Sequence, residues 1–339
     1  MRHSILGFAL LLLSACARSH ESVPVVPVRV TLPMKSETLR LVLTSDLHTF
    51  GGPKIAGGIA KIHAEKPLDA ILITGDNFHP CGVSSIDEPL QWQYVLRHLS
   101  PLGIPMYPLL GNHDYGNPKK RFFWTRICGD PNPQAQIDAS RVVPNWKFPA
   151  RNYVISTAVA DIVMTDSTPV ALDRSEPLRG SASADAIRAF TREQLALSRG
   201  KFRIVAGHHN IRYSGKLRMK SKPTRTNMDA FGELLTEANA DLYVCGHQHQ
   251  LELIVPPDDA PVMLISGASS RPKPTEQLSR RDEYSKFVSG FPRRGGGFAV
   301  LEVSRTWFRV TFYDRSGKAI SRPFRFDRIE NDRLRFTPE

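Results

Sequence analysis

The order of its apolar runs predicts that this chain is an α/β protein built on a layered sheet. Three observations carry that class. In the first half, short apolar runs (Leu39 to Thr44, Ala70 to Thr74, Ile104 to Leu110) are separated by stretches of helical length. These runs empty into Gly-Asp, Gly-Asn or an Asp-rich loop, as buried strands do when they break into tight turns. In the last third, Gly297 to Val303, Thr306 to Tyr313 and Arg322 to Phe326 alternate at period two, which adds antiparallel strands to a sheet begun earlier.

The elements follow in order. Leu39 to Thr44 leads through Asp46-Leu47-His48 to a helix from about Lys54 to Glu65. Ala70 to Thr74 leads through Gly75-Asp76 to a helix from about Glu88 to Ser100, and Ile104 to Leu110 delivers Gly111-Asn112-His113-Asp114. Between Asn117 and Pro149 the chain is rich in Pro, Asn and Gly and reads as a long insertion. Short strands are expected at Asn152 to Ser156 and Asp161 to Thr165, the latter ending in Asp166-Ser167. A helix at Ser183 to Ser198 precedes the strand Phe202 to Ala206, and a helix from about Asp229 to Ala238 precedes Leu242 to Cys245. Pro261 to Ser266 is a further apolar strand. No repeat and no low-complexity tract divides the chain, so residues 36–330 read as one domain, with 331–339 as a tail.

The amino terminus is of another kind. Arg2 precedes the apolar run Ile5 to Leu13, which is too short to span a bilayer, and the whole of residues 1–15 reads as a signal peptide. Leu13-Ser14-Ala15-Cys16 resembles the lipobox of bacterial lipoproteins, which makes Cys16 the expected site of lipidation. An ordinary signal peptide cleaved nearby is the alternative. Residues 16–35 then form a tether, and the protein is expected on the periplasmic face of the cell envelope, lipid-anchored to the membrane. Cysteine use agrees with export: Cys81 and Cys128 lie in loops and are open to pairing, whereas Cys245 follows a buried strand and reads as an inert core thiol. The Trp residues 92, 124 and 146 read as packing.

The formal net charge is +12, and much of it lies between Asn210 and Met228, where Arg212, Lys216, Arg218, Lys220, Lys222 and Arg225 occur without an Asp or Glu. Only Tyr213 is interleaved, which argues against nucleic acid as a partner. Contact with anionic lipid and steering of an anionic substrate remain, and steering is favoured because the stretch directly follows Gly207-His208.

Chemistry is concentrated at the strand ends. Asp46-Leu47-His48, Gly75-Asp76-Asn77, Gly111-Asn112-His113-Asp114, Gly207-His208-His209 and Gly246-His247-Gln248-His249 all follow apolar runs. One histidine after a strand is an ordinary loop residue. Five such loops of metal-ligand residue types, at the end of a sheet where open α/β folds place their sites, point to a dinuclear metal centre. A shared carboxylate such as Asp76 can bridge two cations about 3.5–4 Å apart, which together lower the pKa of a water. Asp46 with His48, and His247 with His249, are spaced i, i+2, which in extended backbone puts both side chains on one side. His113 suits a general acid, with Asp114 expected to hold its ring.

These motifs, with Gly75-Asp76-Asn77-Phe78, Val244-Cys245-Gly246-His247 and Gly296-Gly297-Phe298-Ala299, resemble the calcineurin-like metallophosphoesterases, and most of all the small, tartrate-resistant type of purple acid phosphatase. The resemblance covers roughly residues 39–326. It implies a four-layer α/β/β/α sandwich with mixed sheets, two metal ions and hydrolysis of phosphate monoesters of small molecules by attack of a metal-activated hydroxide. Carried over by motif, Asp46, His48, Asp76 and His249 hold one ion, and Asp76, Asn112, His208 and His247 the other, with Fe, Zn or Mn as candidates. Two departures bear on the carry-over: this chain has His79 where purple acid phosphatases have Tyr, and His48 where they have Gly. The loop after His208 offers His209 where the tartrate-resistant enzymes have a different His, so His79 and His209 are expected near the substrate. A phosphodiesterase or nucleotide hydrolase on the same scaffold, and a non-catalytic envelope binding protein, are the alternatives. A monomer is expected.

Overall fold

The computed structural model describes residues 25–47, 55–116, 130–173, 178–212, 222–270, 283–289, 291, 295–329 and 333–338. The signal peptide, Cys16, His48, Trp124, Cys128, Tyr213, Lys216, Arg218 and Lys220 lie outside the described residues.

Two sheets face one another across the core. The first runs in the order β15 (Leu334–Pro338), β14 (Phe324–Arg328), β13 (Trp307–Asp314), β12 (Gly297–Val303), β2 (Leu39–Thr44), β3 (Ala70–Thr74), β4 (Met106–Leu109). Strands β2, β3 and β4 are parallel, and from β12 outward the pairing is antiparallel. The second runs β1 (Arg29–Thr31), β5 (Tyr153–Ser156), β6 (Ala160–Met164), β7 (Phe202–Ala206), β8 (Leu242–Cys245), β10 (Val262–Ser266), β9 (Leu251–Ile254), β11 (Ser285–Ser289). Its middle strands β6, β7, β8 and β10 are parallel.

Burial on both faces explains why β3 and β8 are almost wholly apolar runs, because parallel strands in the middle of a layered sheet meet no water. The later strands alternate instead: Phe308, Val310 and Phe312 of β13 point into the core, while Trp307 and Arg309 are half-exposed. Aromatic contacts join the sheets, Phe202 meeting Phe308 edge-on at 5.5 Å and Phe287 stacking on Phe312 at 4.4 Å between ring centroids. The helix α1 (Ala56–Glu65) turns Ile59 and Ile62 onto the first sheet. Helices α5 (Ala184–Leu197) and α6 (Lys222–Glu237) press Ile187, Phe190, Phe231 and Leu235 onto Val163, Val205 and Tyr243 of the second. The result is the mixed four-layer α/β/β/α sandwich. No helix among the described residues is long and apolar enough to cross a membrane.

Some elements lie where the sequence carries little periodicity. The end of the stretch read as a tether forms the edge strand β1, paired with β5, and the stretch read as a tail forms β15, paired with β14. Strands β9 and β11 and the short helices α3 (Pro133–Asp138) and α4 (Ser167–Leu172) also escape a reading by pattern, being four to six residues long. The helix expected from Asp229 starts earlier, at Lys222, within the basic stretch. Helix α2 (Pro89–Tyr94) passes into a wider turn at Val95–Leu99. Trp92 and Trp146 are packing residues, their rings edge-on at 5.5 Å, and Phe78 meets Trp92 at 4.5 Å.

Candidate dinuclear metal centre

The carboxyl ends of β2, β3, β4, β7 and β8 converge where the two sheets meet, and the ligand-type residues follow them directly. Asp46, Asp76 and His247 adopt left-handed backbone, with φ of 57°, 50° and 62°. Such a conformation is uncommon outside glycine, and its recurrence at three strand ends turns each side chain back into the gap between the sheets. Room for the turns is supplied by glycine: a Cβ on Gly111 would strike the Asp76 backbone, and one on Gly246 would overlap the Ser45 side chain. His247 and His249 therefore do not act as neighbours on an extended strand, as their i, i+2 spacing suggests. Left-handed backbone at His247 sends the two rings to different partners.

Two groups of donors result. Asp46, Asp76 and His208 each bring one ligand atom, all within 4.8 Å of one another. His247 Nδ1 lies 3.0 Å from Asn112 Oδ1 and 3.3 Å from His208 Nε2. His208 Nδ1 is 2.9 Å from the Thr74 carbonyl, which can only accept, so that nitrogen donates to it, and Nε2 faces the Asp76 carboxylate, 3.3 Å from Oδ2. On the other side His249 Nε2 stands 3.2 Å from Asp46 Oδ1. Asp46 Oδ2 accepts the His247 N–H at 3.0 Å, and Asp76 Oδ1 accepts the His113 N–H at 2.8 Å.

Electrostatics follow from burial. Both carboxylates are fully buried, yet Asp46 and Asp76 are held below the ordinary aspartate range: burial opposes ionisation, and the His249 and His208 imidazoles outweigh it. Burial alone would lower His208, but Asp76 raises it to about 9. His79 and His247 are pushed down to about 3, by burial first and then by the positive charge of neighbouring imidazoles. Buried carboxylates here demand positive charge, and the raised His208 answers part of that demand. His208 Nε2 and His247 Nδ1, 3.3 Å apart, together with the buried Asp46 and Asp76 carboxylates, make a donor set that fits metal cations.

The remaining predicted residues lie at the edge of this cluster. Asp76, His79 and His113 also bring ligand atoms within 4.8 Å of one another, and the His79 and His113 ring centroids are 4.0 Å apart. His113 Nδ1 lies 2.6 Å from the Pro80 carbonyl, to which it donates, so Nε2 is the nitrogen left for proton transfer. Asp114 does not hold this ring. Its buried carboxylate collects the N–H groups of Gly111 (2.8 Å), Asn77 (3.2 Å) and Phe78 (3.3 Å) and the Gln136 amide (2.9 Å), because the turn points it back under the loop. Burial and the Asp76 charge raise Asp114 to about 6. His209 is neutral in its buried setting, its ring 4.8 Å from that of His247. Cys81 is in a disulfide, and Cys245 is a buried free thiol.

Sequence reasoning missed Ser167. Its hydroxyl oxygen accepts the N–H groups of His208 (2.9 Å) and His209 (3.0 Å), and lies 3.1 Å from His209 Nδ1, to which it donates. Ser45 likewise bonds the Thr74 and Gly75 carbonyls at 2.9 Å, and the Ser270 hydroxyl bonds the Asp46 carbonyl. The one local signal was the position of Asp166-Ser167 at a strand exit; a serine carries no metal-ligand signature by itself.

A calcineurin-like phosphoesterase family model matches residues 39–251. Tartrate-resistant acid phosphatase type 5 of Homo sapiens is 27% identical over 263 residues, 74% of this chain and 77% of that protein. Among solved structures, the yellow lupin purple acid phosphatase PPD1 superposes with a TM-score of 0.64 at 15% identity, covering 88% of this chain and 55% of that one. GAP50, described as the anchor in the inner membrane complex of Plasmodium, superposes with the same TM-score of 0.64 at 21% identity, over 84% of this chain and 87% of that one. The last two likenesses are of fold.

Proposed function

The chain belongs to the calcineurin-like phosphoesterase family and is a metallophosphoesterase related distantly to the acid phosphatases, and on that ground we propose that it hydrolyses phosphate monoesters of small molecules. The supporting observation is the convergence of Asp46, Asp76 and His208 within 4.8 Å, beside a histidine whose Nδ1 is engaged by a carbonyl and whose Nε2 is left for proton transfer. Asp46, His48, Asp76 and His249 are assigned to one metal ion, and Asp76, Asn112, His208 and His247 to the other, drawn from Fe, Zn and Mn. Two such ions supply an activated water and neutralise charge on the phosphoryl oxygens.

The chain's own groups do the rest. His113 delivers a proton from Nε2 to the leaving oxygen, while its Nδ1–H bond to Pro80 keeps the ring from turning. The Ser167 hydroxyl, which already accepts two N–H groups, gives its proton to His209 Nδ1. His209 therefore carries its own proton on Nε2, as a neutral donor suited to a phosphoryl oxygen. His79, neutral as well, lines the His113 side.

The test is turnover of an aryl monophosphate and of the corresponding bis-aryl diester, each with and without chelator. Chelator-sensitive turnover favouring the monoester is expected. Preference for the diester would move the reading to a phosphodiesterase. No turnover of either by metal-replete protein would leave a binding module.

Export and lipid anchoring at Cys16 are part of the proposal. The basic start, the apolar run and the Leu13–Cys16 tetrapeptide support it, and so does the disulfide at Cys81, a bond that persists in oxidising compartments. Wild-type protein is expected in the membrane fraction, with Cys16→Ser soluble or left as unprocessed precursor. Wild-type protein wholly soluble in the envelope fraction would refute the anchor.

A further inference from the structure

Three side chains outside the ligand set tie the turn that carries His113 to the sheet that carries His208. We propose that Tyr115, Asp166 and Arg151 form a brace that positions His113 across the gap between the sheets for phosphoryl transfer to water. The proposal rests on the phosphatase reading and adds positioning residues to it.

The connection is continuous. Tyr115 ends the turn Asn112–Tyr115, which hangs from β4 of the first sheet. Its phenol donates to Asp166 Oδ2. Asp166 follows β6 of the second sheet and is fully buried; its Oδ1 accepts the Thr168 N–H at 3.2 Å, and its own N–H is held by Asn152 Oδ1 at 2.9 Å. The next residue, Ser167, holds the N–H of His208 at 2.9 Å. One path of covalent and hydrogen bonds thus runs from Asn112 and His113 through Tyr115, Asp166 and Ser167 to the backbone of His208.

Arg151 sets the direction of the central bond. Its NH1 donates to the Tyr115 oxygen at 2.9 Å, and its guanidinium carbon lies 5.6 Å from the centre of the Tyr115 ring. With that oxygen already accepting from a cation, the phenol proton goes to the carboxylate. Gly180 closes over the guanidinium: a Cβ there would come within 2.8 Å of NH2.

Positioning differs from stability in what it changes. Asn112 Oδ1 and His247 Nδ1, from opposite sheets, stand 3.0 Å apart, so the spacing of the sheets at this point is the spacing of the site. The loop under His113 is secured on the first sheet by the Pro80 carbonyl and by Asp114, and Tyr115 supplies its tie to the second. Misplacement of a catalytic group by about 1 Å can cost ~10²-fold in rate, and the penalty falls on the step that uses the group.

The experiment uses the full chain. For wild type, Tyr115→Phe, Asp166→Asn and Arg151→Lys, kcat and KM are measured on an alkyl phosphate and on an activated aryl phosphate, together with metal content. Tyr115→Phe is expected to keep its metals and its KM. Its kcat should fall roughly 10- to 100-fold on the alkyl ester, which needs the acid, and much less on the aryl ester. Asp166→Asn should move in the same direction, and Arg151→Lys, which keeps a donor for the phenol, should recover most of the rate. Equal losses on both esters, an unchanged ratio or loss of metal would overturn the brace; if Tyr115→Phe does not fold, Asp166→Asn carries the same readout. A wild type inert on both esters would instead overturn the phosphatase reading on which the brace depends.

Discussion

His113 is held by a carbonyl and not by a carboxylate, and this decides which nitrogen would serve as the proposed acid. With Nδ1 donating to Pro80, only Nε2 is left to exchange a proton at the leaving oxygen. His113→Ala is expected to retain both metals and lose roughly 10²–10⁴-fold on an alkyl phosphate, with a smaller loss on an activated aryl ester. Metal loss, or equal loss on both esters, would remove the acid assignment. His79 bears on colour. Burial keeps it neutral, and a neutral imidazole bound to ferric iron gives no phenolate-to-metal band. Tyr115 is committed to Asp166 and Arg151. Protein of measured iron content is therefore expected to lack an intense visible absorption, and a strong band abolished by Tyr115→Phe would contradict the ligand assignment.

The strand ends work as a set because their turns are packed against one another. Asp46 Oδ2 would lie 2.8 Å from a Cβ placed on either Gly246 or Gly267, so the Asp46 side chain sits in a slot walled by backbone from β8 and β10. Gly246→Ala would drive its methyl into Ser45 and displace Asp46. The expected outcome is loss of bound metal with a lowered melting temperature, read by elemental analysis and a thermal scan. A variant with full metal content and unchanged melting would show that the slot can open. The ligand runs were legible in the sequence because each strand is a mostly apolar string followed closely by Gly or Asp. The left-handed turn was not, since Asp and His carry no signal for positive φ comparable to that of glycine.

Across the whole sheet, one carboxylate ties elements from both ends of the chain. Glu302 of β12 accepts from Arg40 of β2 at 3.0 Å, from Arg309 of β13 at 2.9 and 2.6 Å, and from Lys66 after α1 at 3.2 Å. Burial would raise its pKa, but the Arg309 and Lys66 partners outweigh burial and hold it below its ordinary value of 4.5. The sign follows: a carboxyl depressed on folding contributes its full stabilisation above the ordinary value and loses it as pH falls through the folded one. Glu302→Gln is expected to destabilise the protein by about 3 kcal/mol at neutral pH, with the difference shrinking below about pH 4.5. Denaturant melts of both proteins across that range check it, and a gap independent of pH would mean that Glu302 acts by packing alone. Net charge does not reveal this cluster, because its members lie as much as 262 residues apart in the chain.

What the sequence determined by itself is the identity and order of the groups at the strand ends. Each ligand-type residue stands directly after the apolar run that forms its strand, so local pattern alone put Asp46, Asp76, Asn112, His208 and His247 at one end of the molecule. The class of the fold followed from the same alternation of runs. The tertiary structure decided the pairings across the gap: His247 with Asn112, His113 with the Pro80 carbonyl, Asp114 with the backbone beneath it, and Tyr115 with Asp166. Periodicity reports which face of its own strand or helix a residue occupies. It carries no information about the residue that another sheet brings opposite, and contacts such as Tyr115 with Asp166, 51 positions apart, exist only once both sheets have packed and their turns have bent inward.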